Sequence, residues 1–280
     1  MKFLLLSVFL DYECSNSTCN LPEILISPIR ECAAYTPKFG HGRSEGYSLA
    51  DFQKLYGADT FYKWLGLDNP LMYSAHKAAG GITSIYRQIG IGSERLVREI
   101  LKDNLGLNEE GVKWSYQVRA TNGKMRTHSL DGRIIFDDIT NAAAKERLIT
   151  WKENVCSRLE LPSSVKKAMS GVVFEVRQGY KSKDSKRQNA DIANASNAYA
   201  NGYIPCLMVM SSQIDDDIVT RYNQAKWLIL EGYLNASEYT STFNFFENIV
   251  GFNFSEFMSN NQDYFKKETH KILQDLMKAE

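Results

Sequence analysis

Between residues 92 and 232 the hydrophobic positions of the chain predict an alternation of strands and helices. Short runs of Val, Ile, Leu and Phe bounded by glycine or polar residues are typical of strands, whereas apolar residues three or four apart indicate helices. The predicted strands are 112–120, 127–139 with a kink at Gly132, 171–179, 203–211 and 227–232. The predicted helices are 92–107, beginning near Ser93 and ending at Gly106, 141–170 with an interruption at Pro162, 184–202 and 214–226.

The two ends of the chain differ from this middle part. Residues 1–80 look loop-rich apart from an amphipathic segment at 48–57, and residues 233–280 look helical and aromatic. Lys2 and the eight mostly apolar residues after it resemble a short secretory signal, but the early acids Asp11 and Glu13 favour a buried N-terminal strand. The order of elements predicts an α/β fold, with a central mixed β-sheet flanked by helices and mostly helical ends.

The overall charge does not identify a partner. The chain has 280 residues, and its 33 Lys and Arg residues equal its 33 Asp and Glu residues. Affinity for nucleic acid would therefore have to come from local clusters of charge. The five cysteines lack metal-ligand spacing, and their odd number fits reduced thiols in a cytoplasm.

One cluster of charge begins at a single glutamate in an apolar strand. Glu175 interrupts the run 172–176, where its burial is costly unless a cation pairs with it. The cations that follow it are Arg177, Lys181, Lys183, Lys186 and Arg187.

The last three of these cations lie at the start of a predicted helix. Cations in a first turn oppose the helix dipole, so contact with phosphate explains Lys183, Lys186 and Arg187 better than helix stability does. A solvated helix face is the alternative. Asn189 on the same helix adds an amide that suits base edges or a packed helix interface.

A second carboxylate, Asp131, stands at the start of an apolar strand in the segment LDGRIIF. If this strand and the Glu175 strand are neighbours, both carboxylates reach one site. Mg²⁺ is commonly held by one or two carboxylates together with phosphate oxygens, and it activates water for attack on a phosphodiester. There are two alternative readings. Asp131 could be an ordinary turn residue, and the first acid could instead be Asp137 or Asp138.

These features together resemble the core of PD-(D/E)xK nucleases, and type II restriction endonucleases in particular, across about residues 88–232. The resemblance rests on D-G at a strand edge, E-x-[basic] on a second strand and a basic helix after it. It implies that Asp131 and Glu175 bind Mg²⁺ and that Glu94, on the preceding helix, adds an acid. It also implies a restriction-endonuclease-like fold in one domain, with a helical C-terminal part at 233–280.

The chain departs from the family pattern at the lysine that assists the attacking water. Arg177 occupies this position, and arginine stays protonated and cannot act as a base. Lys181 is the nearest lysine, so both residues are candidates for the role. Residue 130 is Leu rather than Pro, and the helical segment 141–170 lengthens the spacing between the two acids. Glu175 and Arg177 share a strand face, and a structural ion pair is the alternative reading.

The resemblance implies a Mg²⁺-dependent enzyme that cuts double-stranded DNA at a short, palindromic site in a bacterial or phage setting. It further implies a DNA methyltransferase in the same system, without direct contact, and a cytoplasmic protein without a membrane span. A palindrome favours a homodimer, with the phenylalanine-rich residues 240–265 at the interface or packed beneath it. Residues 40–46 and the hairpin 119–128 are candidates for reading bases. The alternative function is a DNA-binding protein that no longer cuts.

Overall fold

The computed structural model describes residues 21–40, 45–119, 123–180 and 185–278. Within these residues the six strands are β1 (Trp114–Arg119), β2 (Met125–Leu130), β3 (Gly132–Ile135), β4 (Gly171–Arg177), β5 (Tyr203–Val209) and β6 (Leu228–Leu230). The first six helices are α1 (Leu21–Arg30), α2 (Leu49–Ala58), α3 (Thr60–Trp64), α4 (Pro70–Leu105), α5 (Ala142–Arg158) and α6 (Ser163–Ala168). The later ones are α7 (Ser185–Ala200), α8 (Asp216–Gln224), α9 (Thr242–Asn244), α10 (Phe254–Asn260) and α11 (Gln262–Met277), and a π-helix follows α9 at Phe245–Val250.

The strands form two sheets, a central sheet of four strands and a separate ribbon of two. The central order is β3-β4-β5-β6, in which β3 is antiparallel to β4 and the other pairs are parallel. Helices α7 and α8 connect the parallel strands. The predicted mixed sheet flanked by helices is thus confirmed. The predicted strand at 127–139 is divided at Asp131 into β2, which belongs to the ribbon, and β3, which belongs to the central sheet.

The side chains of β4 separate two hydrophobic layers. Val172, Phe174 and Val176 contribute to a large core with α4, α5 and the C-terminal helices. Val173 faces the other way, into a smaller core with α7 and α8. Because side chains alternate along a strand, Glu175 and Arg177 lie on the same face as Val173, the face that α7 covers.

The expectation of a loop-rich N-terminal region is wrong for the described residues up to position 80, which include α1, α2, α3 and the start of α4. The segment at 48–57 does form a helix, α2, and the Ser48 side chain caps it. The long helix α4 begins at Pro70, not near Ser93, which is buried within it. It ends as predicted at Gly106, whose φ of 69° is readily adopted by glycine.

The C-terminal phenylalanines mostly fill the core. Phe245, Phe246 and Phe254 are almost fully buried, and Phe243 and Phe257 pack against the same cluster. Packing inside the protein, and not an exposed aromatic surface, therefore explains why this part of the chain is rich in phenylalanine. No helix among the described residues is long and apolar enough to span a membrane. The strand expected at the extreme N-terminus lies outside the described residues.

Candidate active site

Asp131 is fixed at the point where the ribbon passes into the central sheet. Its amide donates to the Phe174 carbonyl oxygen and its Oδ2 accepts from the Val176 amide, each at 2.8 Å. Arg98 of α4 donates to the Asp131 carbonyl oxygen, also at 2.8 Å. Asp131 is therefore bonded to both residues that flank Glu175 on β4. The prediction that the two strands are neighbours is confirmed.

Asp137 and Asp138 are placed differently. They follow β3 at its far end, where Ile135 pairs with Gly171, and both are exposed. β3 therefore separates Asp137 and Asp138 from Glu175. Of these three acids, Asp131 is the one that lies beside the Glu175 segment of β4.

Glu175 and Arg177 form an ion pair beneath α7, which is the alternative reading of their common strand face. The guanidinium Nη2 of Arg177 bonds to Glu175 Oε1 and lies 3.5 Å from Asp191 Oδ2. Glu175 is 6% exposed and Asp191 is 4% exposed. Burial alone would lower the pKa of Arg177, but Glu175, Asp191 and Asp131 together raise that pKa above its ordinary value. Arg177 is thus a permanent cation and not a base.

The sequence interpretation missed Asp191, which anchors this ion pair from α7. Tyr180 and Tyr222 both donate hydrogen bonds to Asp191 Oδ2, the former at 3.3 Å. Burial, followed by the charge of Asp191, raises the pKa of Tyr222, so its hydroxyl stays protonated as a donor. One signal was present in the sequence: Asp191, Ala195 and Ala198 recur at helical spacing and share the buried face of α7.

An open groove of about 600 Å³ lies beside Asp131. Glu94 and Arg98 of α4, Ser115 and Ser129 of the ribbon, and Asp131 all line it. The structure therefore brings Glu94 and Asp131 to one groove. Glu175 does not line this groove, since its carboxylate is bonded to Arg177 in the interior behind Asp131.

The remaining candidates are only partly described. Lys181 and Lys183 lie outside the described residues, as do the side chains of Lys186 and Arg187, whose backbone belongs to α7. Asn189 is exposed on the same helix, and its Oδ1 accepts a hydrogen bond from Arg221 at 3.0 Å. This contact joins α7 to α8.

No family model matches the chain, and no curated protein or solved structure is significantly similar to it. Its function must therefore be argued from the site.

Asp131 and Glu175 are the two carboxylates that the resemblance assigns to a metal ion. Among the described residues, no group of three or more His, Cys, Asp and Glu side chains is arranged to hold a metal. Mg²⁺ commonly takes one or two protein carboxylates and completes its coordination with water and phosphate oxygens. Burial raises the pKa of Asp131 although the Val176 amide, Arg177 and Arg98 counter it, so a nearby cation would stabilise its ionised form. Asp131 thus suits a hard divalent cation at the groove, whereas Glu175 lies behind it, bonded to Arg177.

Arg177 competes with such a cation for Glu175. Its guanidinium is bonded to the Glu175 carboxylate, which must be released before Glu175 can bind a metal. Asp191 supplies a second carboxylate 3.5 Å from the same guanidinium. Arg177 Nε is buried and has no hydrogen-bond partner among the described residues.

Proposed function

We propose that this protein is a Mg²⁺-dependent endonuclease that hydrolyses phosphodiester bonds of double-stranded DNA at a short specific site, as a type II restriction enzyme does. The observation that supports the proposal is the attachment of Asp131 to both neighbours of Glu175 on β4. It places the Asp131 carboxylate against the part of β4 that carries Glu175. The order of a helix, an antiparallel strand pair and a parallel strand after a crossover helix is compatible with a restriction-endonuclease-like core.

In this proposal Asp131 and Glu175 would hold the metal, and the bound ion would supply polarisation of the phosphodiester and activation of water. The Val176 amide orients the Asp131 carboxylate. Glu94 and Arg98 line the groove through which the phosphate backbone approaches. Arg177 serves as a fixed positive charge for the phosphate, whereas a proton-accepting role falls to another group, with Lys181 as the candidate.

Plasmid digestion with purified protein tests the proposal. We expect discrete fragments in Mg²⁺ and none in EDTA, and a loss of at least about a hundredfold in cleavage for Asp131→Asn and for Glu175→Gln, since even outer partners of metal ligands contribute about 10–100-fold. Asp137→Asn is the matched control, because Asp137 is an exposed acid at the far end of β3. Failure of the wild-type protein to cut in any divalent metal would contradict the proposal, as would cleavage by either site variant at the wild-type rate.

A palindromic site would present the same half-site twice, and we propose a homodimer on DNA for this reason. The phenylalanines of residues 240–265 give little support to this proposal, because most of them pack inside the protein. Light scattering with and without duplex measures the assembly. A complex of one protein chain with one cleavable duplex would refute it.

One observation favours a second candidate, a DNA-binding protein that does not cut. Arg177 already neutralises the carboxylate that a metal would need. Such a protein would shift a DNA duplex in a gel in a salt-dependent manner, and divalent metals would not stimulate cleavage. The plasmid assay and the gel shift together distinguish the two functions.

A further inference from the structure

The ribbon of β1 and β2 stands apart from the central sheet and has two different faces. Opposite residues of an antiparallel pair project to the same side, and the register pairs Ser115 with Ser129 and Arg119 with Met125. One face is therefore exposed and mostly polar, and it consists of Ser115, Gln117, Arg119, Met125, Thr127 and Ser129.

The other face holds the ribbon to the body of the protein. Trp114 and Leu130 are buried at its base, in the core that α7 and α8 cover. Further along, the Tyr116 hydroxyl bonds to Asn194 of α7, and the Tyr116 ring stacks on His128 with centroids 5.6 Å apart. The ribbon is thus fixed at its base, while its end, with Arg119 and Arg126, is exposed.

The charge of this ribbon suits an anionic partner. Between residues 114 and 130 the sequence contains Arg119, Lys124 and Arg126 and no Asp or Glu, although the whole chain has no net charge. A stretch without acids in such a chain concentrates positive potential on one projecting element. The exposed side chains include the types that recognise base edges, namely Arg for guanine, Gln for adenine and Ser or Thr for either.

The ribbon also leads directly to the proposed catalytic acid. Asp131 is the residue after β2, and Ser115 and Ser129 of the polar face line the same groove as Asp131. Six residues of extended strand measure about 20 Å, the length of about six base pairs of DNA. The major groove is about 12 Å wide and admits a two-stranded ribbon.

We propose that the β1–β2 ribbon enters the major groove of double-stranded DNA and reads bases within about six base pairs of the cut phosphodiester. This inference rests on the proposed function for its position relative to the cut. The DNA contact itself follows from the shape, exposure and charge of the ribbon.

Binding to a 40-base-pair duplex of fixed sequence in EDTA tests the contact without cleavage. We expect Arg119→Gln/Arg126→Gln to bind at least about tenfold more weakly and to reduce the slope of log affinity against log salt by about two, one for each phosphate contact. Lys266→Gln/Lys267→Gln removes the same charge from exposed positions on α11 and serves as the control. Equal affinity of the two double variants would overturn the inference.

Sequencing of the ends of digested genomic DNA tests base reading. We expect Gln117→Ala and Thr127→Ala to accept additional bases at a position within about six base pairs of the cut, whereas the Lys266→Gln/Lys267→Gln control keeps the wild-type site. Unchanged sites in both ribbon variants would refute a reading role. If the wild-type protein cuts no DNA but the Arg119→Gln/Arg126→Gln variant still loses duplex affinity, the nuclease proposal fails and the ribbon contact stands.

Discussion

Arg177 supplies the positive charge next to two almost fully buried carboxylates, and removing it tests how much the site depends on that charge. Arg177→Met keeps an unbranched side chain but no cation. Glu175 then loses its bonded guanidinium, and Asp191 loses the same group from a distance of 3.5 Å. Breaking a buried ion pair from one side costs about 3–5 kcal/mol, because the remaining charge is uncompensated. We expect the free energy of unfolding to fall by that order.

Urea unfolding near neutral pH measures this loss, and Arg158→Met is the control. Arg158 is an exposed arginine that lies 4.5 Å from the centre of the Tyr239 ring, and its replacement should cost less than about 1 kcal/mol. A loss for Arg177→Met no greater than that for Arg158→Met would refute the reasoning.

The loss should also depend on pH in a known direction. Burial raises the pKa of Asp131 and the charge of Arg177 counters this rise, so Arg177→Met should raise that pKa further. A carboxyl whose folded pKa is raised loses stability as pH increases, since ionisation then favours the unfolded chain. The difference between variant and wild type should therefore be larger near pH 8 than near pH 5.

Three further substitutions test the ion pair and the packing of α4. Asp191→Asn keeps a hydrogen-bonding group but removes one anionic neighbour of Arg177, and we expect about 1–3 kcal/mol less stability in urea unfolding; an unchanged midpoint would show that Asp191 does not anchor the pair. Gly92→Ala places a Cβ 2.4 Å from the Leu25 carbonyl oxygen and should cost about 1–3 kcal/mol, whereas Gly90→Ala meets no atom within 4 Å and should add about 0.5–1 kcal/mol. Equal thermal midpoints for the two alanine variants would contradict the close approach of α1 and α4.

The neighbouring positions of Asp131 and Glu175 could be predicted from the sequence because each acid adjoins an apolar run of strand length. The ladder between β3 and β4 then brings the two acids together. The long separation of the two acids along the chain does not keep them apart in the fold. The chain leaves the sheet after β3, forms α5 and α6, and returns to the sheet at β4. The alternation of side chains along β4 likewise placed Glu175 and Arg177 on one face, which left their ion pair as the alternative reading.

The start of α4 could not be predicted, because its glycines look like breaks in a helix. In the structure they allow close packing instead. A Cβ at Gly81 would lie 2.6 Å from the Leu276 side chain of α11, and one at Gly92 would meet the backbone of α1. The sequence shows the helix-breaking tendency of glycine but not the neighbouring helix that offsets it. Asp191 was missed for a related reason, since its partners come from two other parts of the chain: Arg177 and Tyr180 at the end of β4 and just after it, and Tyr222 on α8.

The length of α4 links the two ends of the chain to the groove. Ile85 of α4 packs in one cluster with Ile272 and Leu276 of α11, while Arg98 on the same helix holds Asp131. Ile85 and Arg98 are roughly 20 Å apart along the axis of this uninterrupted helix. If the terminal helices are detached, α4 and the wall of the groove should therefore unfold together as one cooperative unit. Amide hydrogens in this half of the protein would then exchange with solvent at similar rates, and trimming the C-terminal helix would reduce their protection as far as Arg98.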